Sequence, residues 1–240
     1  MKGIGSLNEK ALHAALKDWY VQPGDRVEVP LDGYVIDIVR DDLLIELQTR
    51  NFSAIKTKLR DLTKRHPVRL LYPLAAEKWI VKWPTEERPK SSRRKSPKRG
   101  KLLDVFHELV SLPELLLHPN FSLHVLLIQE EEVRRHDPRR GWRRKGWVTH
   151  ERRLLEVQEE VVFDQPDDFA FLLPEELPSS FTTAELAQAL QSPRHFAQKM
   201  AYCLVRMQSI TQIGKRGNAK VYRRGGGARG DKSLSVSPER

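Results

Sequence analysis

The sequence predicts an α/β (α+β) protein: helix, three strands, helix, strand, then a second α+β layer and a closing pair of helices with a hairpin. Three patterns predict it. Apolar residues recur at helical spacing near the start. Strand-like runs at residues 26–31, 33–40 and 43–49 are then separated by the turn pairs Asp32-Gly33 and Asp41-Asp42. Late in the chain, Thr182 and Glu185 form a capping box ahead of a short helix, a second amphipathic helix and a basic-tipped hairpin.

Each element has a local cause. In the first helix Leu7, Ala11, Leu12, Ala15, Leu16 and Trp19 form one stripe, Ser6 or Asn8 supplies the cap, and Pro23-Gly24-Asp25 ends it. Ser53 is read as the cap of the second helix, which carries Ile55, Leu59 and Leu62. Past His66-Pro67 come two short strands, 68–72 and 79–83. The run PTEERPKSSRRKSPKRGK, 84–101, is too polar and proline-broken to pack and reads as a basic loop or linker that orders on a partner. Residues 102–117 look helical, and 121–131 and 148–163 look like long strands joined by the tip HDPRRGWRRKGW. Pro193 opens the last helix, with Phe196, Met200, Leu204 and Met207 on one side and Arg194, Gln198, Lys199 and Arg206 on the other. With the hairpin 209–213 and 220–224 behind it, this succession resembles a winged helix-turn-helix. The expected partition is a core at 1–83, a linker at 84–101, an α+β middle segment at 102–175, the winged helix at 176–224 and a disordered tail at 225–240.

The formal charge of +10 points to a polyanionic partner. The stretches 84–101, 134–153 and 215–229 hold 8, 9 and 6 Lys/Arg against 2, 2 and 0 Asp/Glu, so the positive charge is grouped into patches. One cysteine, Cys203, excludes an internal disulfide framework and any multi-cysteine zinc site; it reads as core filling and fits a reducing, cytoplasmic setting. The eight histidines show no metal-motif spacing. Asn8, Glu9, Lys10 and His13 interrupt the first apolar stretch, so neither a signal peptide nor a membrane span is expected there.

Chemistry concentrates in YVIDIV and LLIEL. Both runs are apolar on either face, as interior strands are, yet each carries one acid, Asp37 and Glu46. A carboxylate taken out of water needs a cation or strong hydrogen bonds. Alternation places Glu46 and Gln48 on one face, and the turn at Asp41-Asp42 brings Asp37 onto the adjacent strand. Glu9 lies three and seven residues before Leu12 and Leu16, which aims it at the sheet. Acids grouped in this way repel one another, and a hard divalent ion relieves the repulsion. The alternative is that the strands are half exposed and both acids face water.

Glu9, Asp37 and Glu46-Leu47-Gln48, on a helix followed by a three-stranded meander and another helix, resemble the PD-(D/E)xK nuclease superfamily over about residues 4–83, in a variant with glutamine in place of the lysine. The resemblance implies a restriction-endonuclease-like αβββαβ core. Asp37 and Glu46 would be ligands of Mg2+ or Mn2+, with Glu9 assisting the metal or its water. Gln48 would stand where the family has lysine, orienting water without supplying charge; Lys56 or Lys58 on the next helix is a candidate substitute. Ile36 replaces the family's proline. The superfamily often pairs two active sites on duplex DNA, so a homodimer is also an expectation.

These readings combine into a metal-dependent endonuclease acting on duplex or branched DNA. Candidate DNA contacts in the basic loop are Arg93, Arg94, Lys95, Lys98 and Arg99; on the hairpin tip, Arg140, Trp142, Arg143 and Arg144; and in the C-terminal part, Arg194, Gln198, Lys199, Lys215, Arg216 and Lys220. The runner-up is an inactive nuclease-like DNA-binding regulator or architectural protein, supported by the missing lysine. An adaptor or RNA-binding module using the same patches is the third reading.

Overall fold

The computed structural model describes residues 5–86, 88–140 and 142–225, with side chains from residue 11 onward. A long helix, α1 (Gly5–Tyr20), precedes the meander β1 (Arg26–Leu31), β2 (Tyr34–Arg40) and β3 (Leu43–Leu47). The hairpin turns use left-handed Asp32 and Asp41, a conformation that aspartate tolerates better than branched residues do. After a 3-10 turn at Phe52–Ala54, α2 (Lys56–Leu62) returns the chain so that β4 (Val68–Lys82) pairs parallel with β3. Helix, meander, helix and parallel strand thus follow in the expected order. Ser53 does not cap α2, however; its hydroxyl donates to the Asn51 side chain instead.

From β4 onward several expectations are corrected. The two short strands at 68–72 and 79–83 are one strand, β4, interrupted only by a bulge between Ala75 and Glu77. Its Pro73 lies past the last residue paired to β3, Leu71, and before the first paired to β5, Trp79, so on that side its missing N–H removes no ladder bond. The stretch 84–101 is not a free linker. Within it β5 (Ser92–Lys95) pairs antiparallel with the far end of β4, and Gly100 donates its N–H to the Ala75 carbonyl. A Cβ at Gly100 would stand 2.4 Å from that oxygen, so only glycine fits the approach. Residues 102–117 do not form one helix but a 3-10 turn, the four-residue α3 (Phe106–Leu109) and another 3-10 turn started by Pro113.

The expected long strands are β6 (Phe121–His136) and β7 (Trp147–Phe163). β6 pairs parallel with β4 along nearly its whole length, and β7 closes the edge antiparallel. The result is a mixed seven-stranded sheet in the order β1-β2-β3-β4-β6-β7, with β5 beside β4. The expected boundaries at residues 83 and 102 fall between β4 and β6, which are paired strands of this sheet.

The C-terminal part is β8 (Ser180–Thr182), α4 (Thr183–Ala189), α5 (Arg194–Arg206), β9 (Ile210–Arg216) and β10 (Ala219–Arg224), the strands forming a second sheet β8-β10-β9. β8 escaped the sequence reading, since three residues show no periodicity. The capping box is present as read: the Glu185 N–H donates to Thr182 Oγ1 and the Thr182 N–H to the Glu185 carboxylate. Pro193 is the cap residue of α5, one position before the first helical turn. Phe196, Met200, Leu204 and Met207 are buried, and so is Cys203. They belong to the same apolar cluster as Ile36, Leu70, Leu123 and Phe163, so this face of the large sheet and the C-terminal part share one core. α1 covers the opposite face through Leu12, Leu16 and Tyr20 against Ile38, Ile45, Leu71, Leu126 and Ile128. Among the described residues no helix is long and apolar enough to cross a membrane. Apart from Gly225, the expected tail lies outside the described residues.

Candidate active site

β2 and β3 are paired from the turn, Arg40↔Leu43, as far as Ile38↔Ile45. Beyond that point the strands part. β3 stays with β4, where Glu46 lies opposite Leu70 and the Gln48 N–H donates to the Leu71 carbonyl. The N–H of Leu47 turns to a side chain, Asp37 Oδ2, at 2.9 Å. Asp37 therefore sits in the fork between the two strands as a substitute for the lost ladder, which explains why an acid is tolerated in an apolar strand.

The second acid takes a different partner. Glu46 is 2% exposed, and its Oε1 lies 2.5 Å from Lys58 Nζ on α2. Lys58 also donates to the Val35 carbonyl at 2.6 Å, tying α2 to the beginning of β2. Leu59 and Leu62 of α2 are buried, which orients the helix so that Lys58 reaches the sheet. Of the two lysines considered from the sequence, Lys58 pairs with the acid. Burial pushes the Glu46 carboxyl up to about 7, aided by the charge of Asp37 and opposed by Lys58 and by a backbone hydrogen bond from Asp37.

Asp37 behaves oppositely. Burial works to raise its carboxyl, but hydrogen bonds from His13 and from the Leu47 amide outweigh it and hold the group below its ordinary value. His13 Nε2, on α1, stands 3.5 Å from Asp37 Oδ2. That hydrogen bond raises the imidazole above its ordinary value, against the effect of its own burial. His13 was missed in the sequence because the histidines were judged by metal motifs. Its signal was the i, i+4 spacing from Glu9 on a helix already aimed at the sheet. The Glu9 side chain lies outside the described residues.

Gln48 departs from its expected role. Its Nε2 donates to the carbonyls of Arg50 and Asn51, at 2.5 and 3.2 Å, closing the loop that leads to α2. Its amide nitrogen is thus committed to the loop. Among the described residues no group of three or more His, Cys, Asp and Glu side chains is arranged to hold a metal. Asp37 and Glu46 supply hard oxygen donors of the kind Mg2+ takes, and each already has a partner, the Leu47 amide and His13 for Asp37 and Lys58 for Glu46.

The predicted nucleic-acid residues divide into those with a charged or ring partner and those with no acidic partner among the described residues. Arg93 lies over the Trp79 ring and donates to Glu131, while Lys95 and Arg99 both hold Glu77. Arg144 reaches Glu132, and Arg216 reaches Glu185. Lys199 is partly buried on the side of α5 that faces His107, whose imidazole it helps hold below its ordinary value after burial. Arg206 pairs with Glu114. In contrast, Arg94, Lys98, Arg140, Arg143, Arg194, Gln198, Lys215 and Lys220 are exposed. Arg194, Gln198 and Lys220 line a groove of about 410 Å³ between α5 and the β9–β10 hairpin, which Tyr202 and Asn218 share.

The comparisons give the chain a family and no activity. No solved structure matches the chain. An uncharacterized protein of Treponema pallidum (strain Nichols) is 33% identical over 222 residues, covering 92% of this chain and 87% of the relative. A family model described as a domain of unknown function, DUF8091, matches residues 10–164, from within α1 to the residue after β7. The match spans the whole seven-stranded sheet and stops before the C-terminal helices, and on it the chain belongs to the DUF8091 family.

Proposed function

We propose that the protein is a metal-dependent phosphodiesterase of the PD-(D/E)xK kind, an endonuclease acting on DNA. The observation that carries this reading is the fork between β2 and β3, where Asp37 takes the Leu47 amide and the neighbouring Glu46, paired with Lys58, feels the charge of Asp37. Asp37 and Glu46 would hold Mg2+ or Mn2+, which when bound polarises a phosphate and lowers the pKa of a water. Lys58, which pairs with Glu46, would supply the positive charge that glutamine at position 48 lacks. His13 holds Asp37 ionised and oriented from the α1 side. Burial pushes the Glu46 carboxyl up to about 7, so a metal held by this acid would displace a proton from it.

DNA would be held by the exposed cations, with β8, α4, α5 and the β9–β10 hairpin acting as a winged helix whose α5 presents Arg194, Gln198 and Tyr202. One observation favours the non-cleaving alternative, a DNA-binding regulator: Lys58 already neutralises Glu46, as a structural ion pair would. Plasmid and branched DNA incubated with Mg2+, Mn2+ or EDTA separate the two. Cleavage should require the metal and disappear in Asp37→Ala and Glu46→Ala, with Lys58→Ala strongly slowed. Metal-dependent cleavage that survives in both acid variants would refute the assignment, and binding without cutting by the parent would establish the regulator.

A further inference from the structure

We propose that the tip of the β6–β7 hairpin is a grip for an unpaired DNA strand, with Trp142 as the stacking platform. This deepens the nucleic-acid reading above and rests on it for the identity of the polyanion.

The tip is a built structure. Asp137 donates its N–H to the Gly146 carbonyl at 2.8 Å, Arg140 donates to the Asp137 carbonyl at 3.0 Å, and Trp142–Arg144 form a 3-10 turn. Lys145 and Gly146 both take positive φ, and a Cβ at Gly146 would stand 2.6 Å from His136 Nε2, so the turn must close on glycine. This frame leaves Trp142 82% exposed, by far the most exposed large aromatic among the described residues. Arg143 lies 5.0 Å from the centre of its ring. An indole held in water against the hydrophobic effect, and flanked by a guanidinium, suits a flat partner that slides onto its face.

The surroundings select the charge of that partner. Arg139, Arg140, Arg143 and Lys145 have no acidic partner among the described residues, unlike Arg144. Lys82 lies 4.5 Å from the centre of the Trp147 ring at the base of the tip. Its ammonium is held below its ordinary value by partial burial first and then by the like charges of Arg88, Arg134, Arg94 and Lys145. Lys82 and Lys145 with Arg88, Arg94 and Arg134 therefore form a local field of like charge that a polyanion relieves.

Geometry then separates strand from duplex. Glu46 lies level with Leu70 and Leu123, and thirteen residues of β6 separate Leu123 from His136. The tip is therefore on the order of 40 Å along the sheet from the acids, a contact apart from the reacting phosphate. A duplex keeps its base faces stacked inside and offers the tip only phosphates, whereas an unpaired strand offers a π-face to Trp142 and phosphates to the four cations at once.

The test is fluorescence anisotropy with the full chain in EDTA, which removes cleavage from the readout. The probes are a labelled single-stranded oligonucleotide and the duplex of the same sequence, with inorganic polyphosphate as competitor. Trp142→Ala should weaken single-strand binding about fivefold or more and change duplex binding little; Trp142→Phe should restore most of it. Trp142→Ala should also abolish much of the indole quenching seen on strand binding. Thermal melting of both variants should match the parent, since the side chain is in solvent. The grip is overturned by unchanged strand affinity in Trp142→Ala, by an equal loss on duplex, or by polyphosphate displacing the strand equally well from parent and Trp142→Ala. Duplex binding combined with any of these results removes the grip alone. If the parent binds neither DNA, the nucleic-acid reading falls with it.

Discussion

Glu46→Gln should remove the loss of stability that the parent suffers around the fork as the pH rises. In the unfolded chain this carboxyl ionises near its ordinary value of 4.5, and in the folded protein near 7, because burial penalises the charged form more than Lys58 compensates it. An acid whose folded value is raised contributes stability that is fully present below the unfolded value. That contribution declines as the pH climbs past about 4.5 and is gone once it exceeds about 7. At about 1.36 kcal/mol per pH unit, the interval corresponds to about 3 kcal/mol. Glu46 is almost wholly buried, so solvent screening takes little from that figure. Glutamine keeps the shape and cannot ionise, so the variant lacks the decline. Urea unfolding followed by tryptophan fluorescence, from about pH 4 to about pH 8, should show the stability difference moving in favour of the variant by about 3 kcal/mol. Working with the change in the difference cancels any constant cost of leaving Lys58 without its partner. If Glu46 holds magnesium as proposed, saturating magnesium should close part of the gap at the upper end. A difference that stays constant across this range would refute the desolvation argument.

Asp37→Asn should lower the His13 imidazole value, because the hydrogen bond and charge that raise it are lost; NMR titration of the ring protons reads this directly. Arg152→Ala removes the guanidinium that clasps the fully buried Glu130 but leaves Lys78 on its other oxygen, and should cost about 1.5–3 kcal/mol in chemical unfolding. Gly100→Ala forces a methyl group against the Ala75 carbonyl and the Leu74 side chain, and should cost about 1–3 kcal/mol while exposing 84–101 to limited proteolysis.

The legible part of the fold was local. The two Asp turns of the meander, the capping box before α4 and the apolar side of α5 each follow from a few neighbouring residues and appear where those residues put them, whereas the α1 stripe holds at Leu12 and Leu16 but ends on buried Tyr20 and leaves Trp19 exposed. Misread were the places where a distant strand overrides local character. SRRK in β5 is polar enough to be a loop, yet β4 offers it an open edge at Trp79–Lys82, while Glu131 and Glu77 hold its cations. In the same way, β4 runs through Pro73 because β6 supports it on the other side.

The candidate site divides along the same line. That YVIDIV and LLIEL each carry an anomalous acid is a property of the sequence, and periodicity alone placed Asp37 and Glu46 on neighbouring strands. The partner of each acid was a tertiary matter. Where the β2–β3 ladder ends decides that Asp37 receives the Leu47 amide, and the docking of α1 and α2 decides that His13 and Lys58 are the bases beside the acids. Periodicity is set by backbone geometry, which repeats every few residues, whereas desolvation and ion pairing depend on which groups the folded chain brings within a few ångströms.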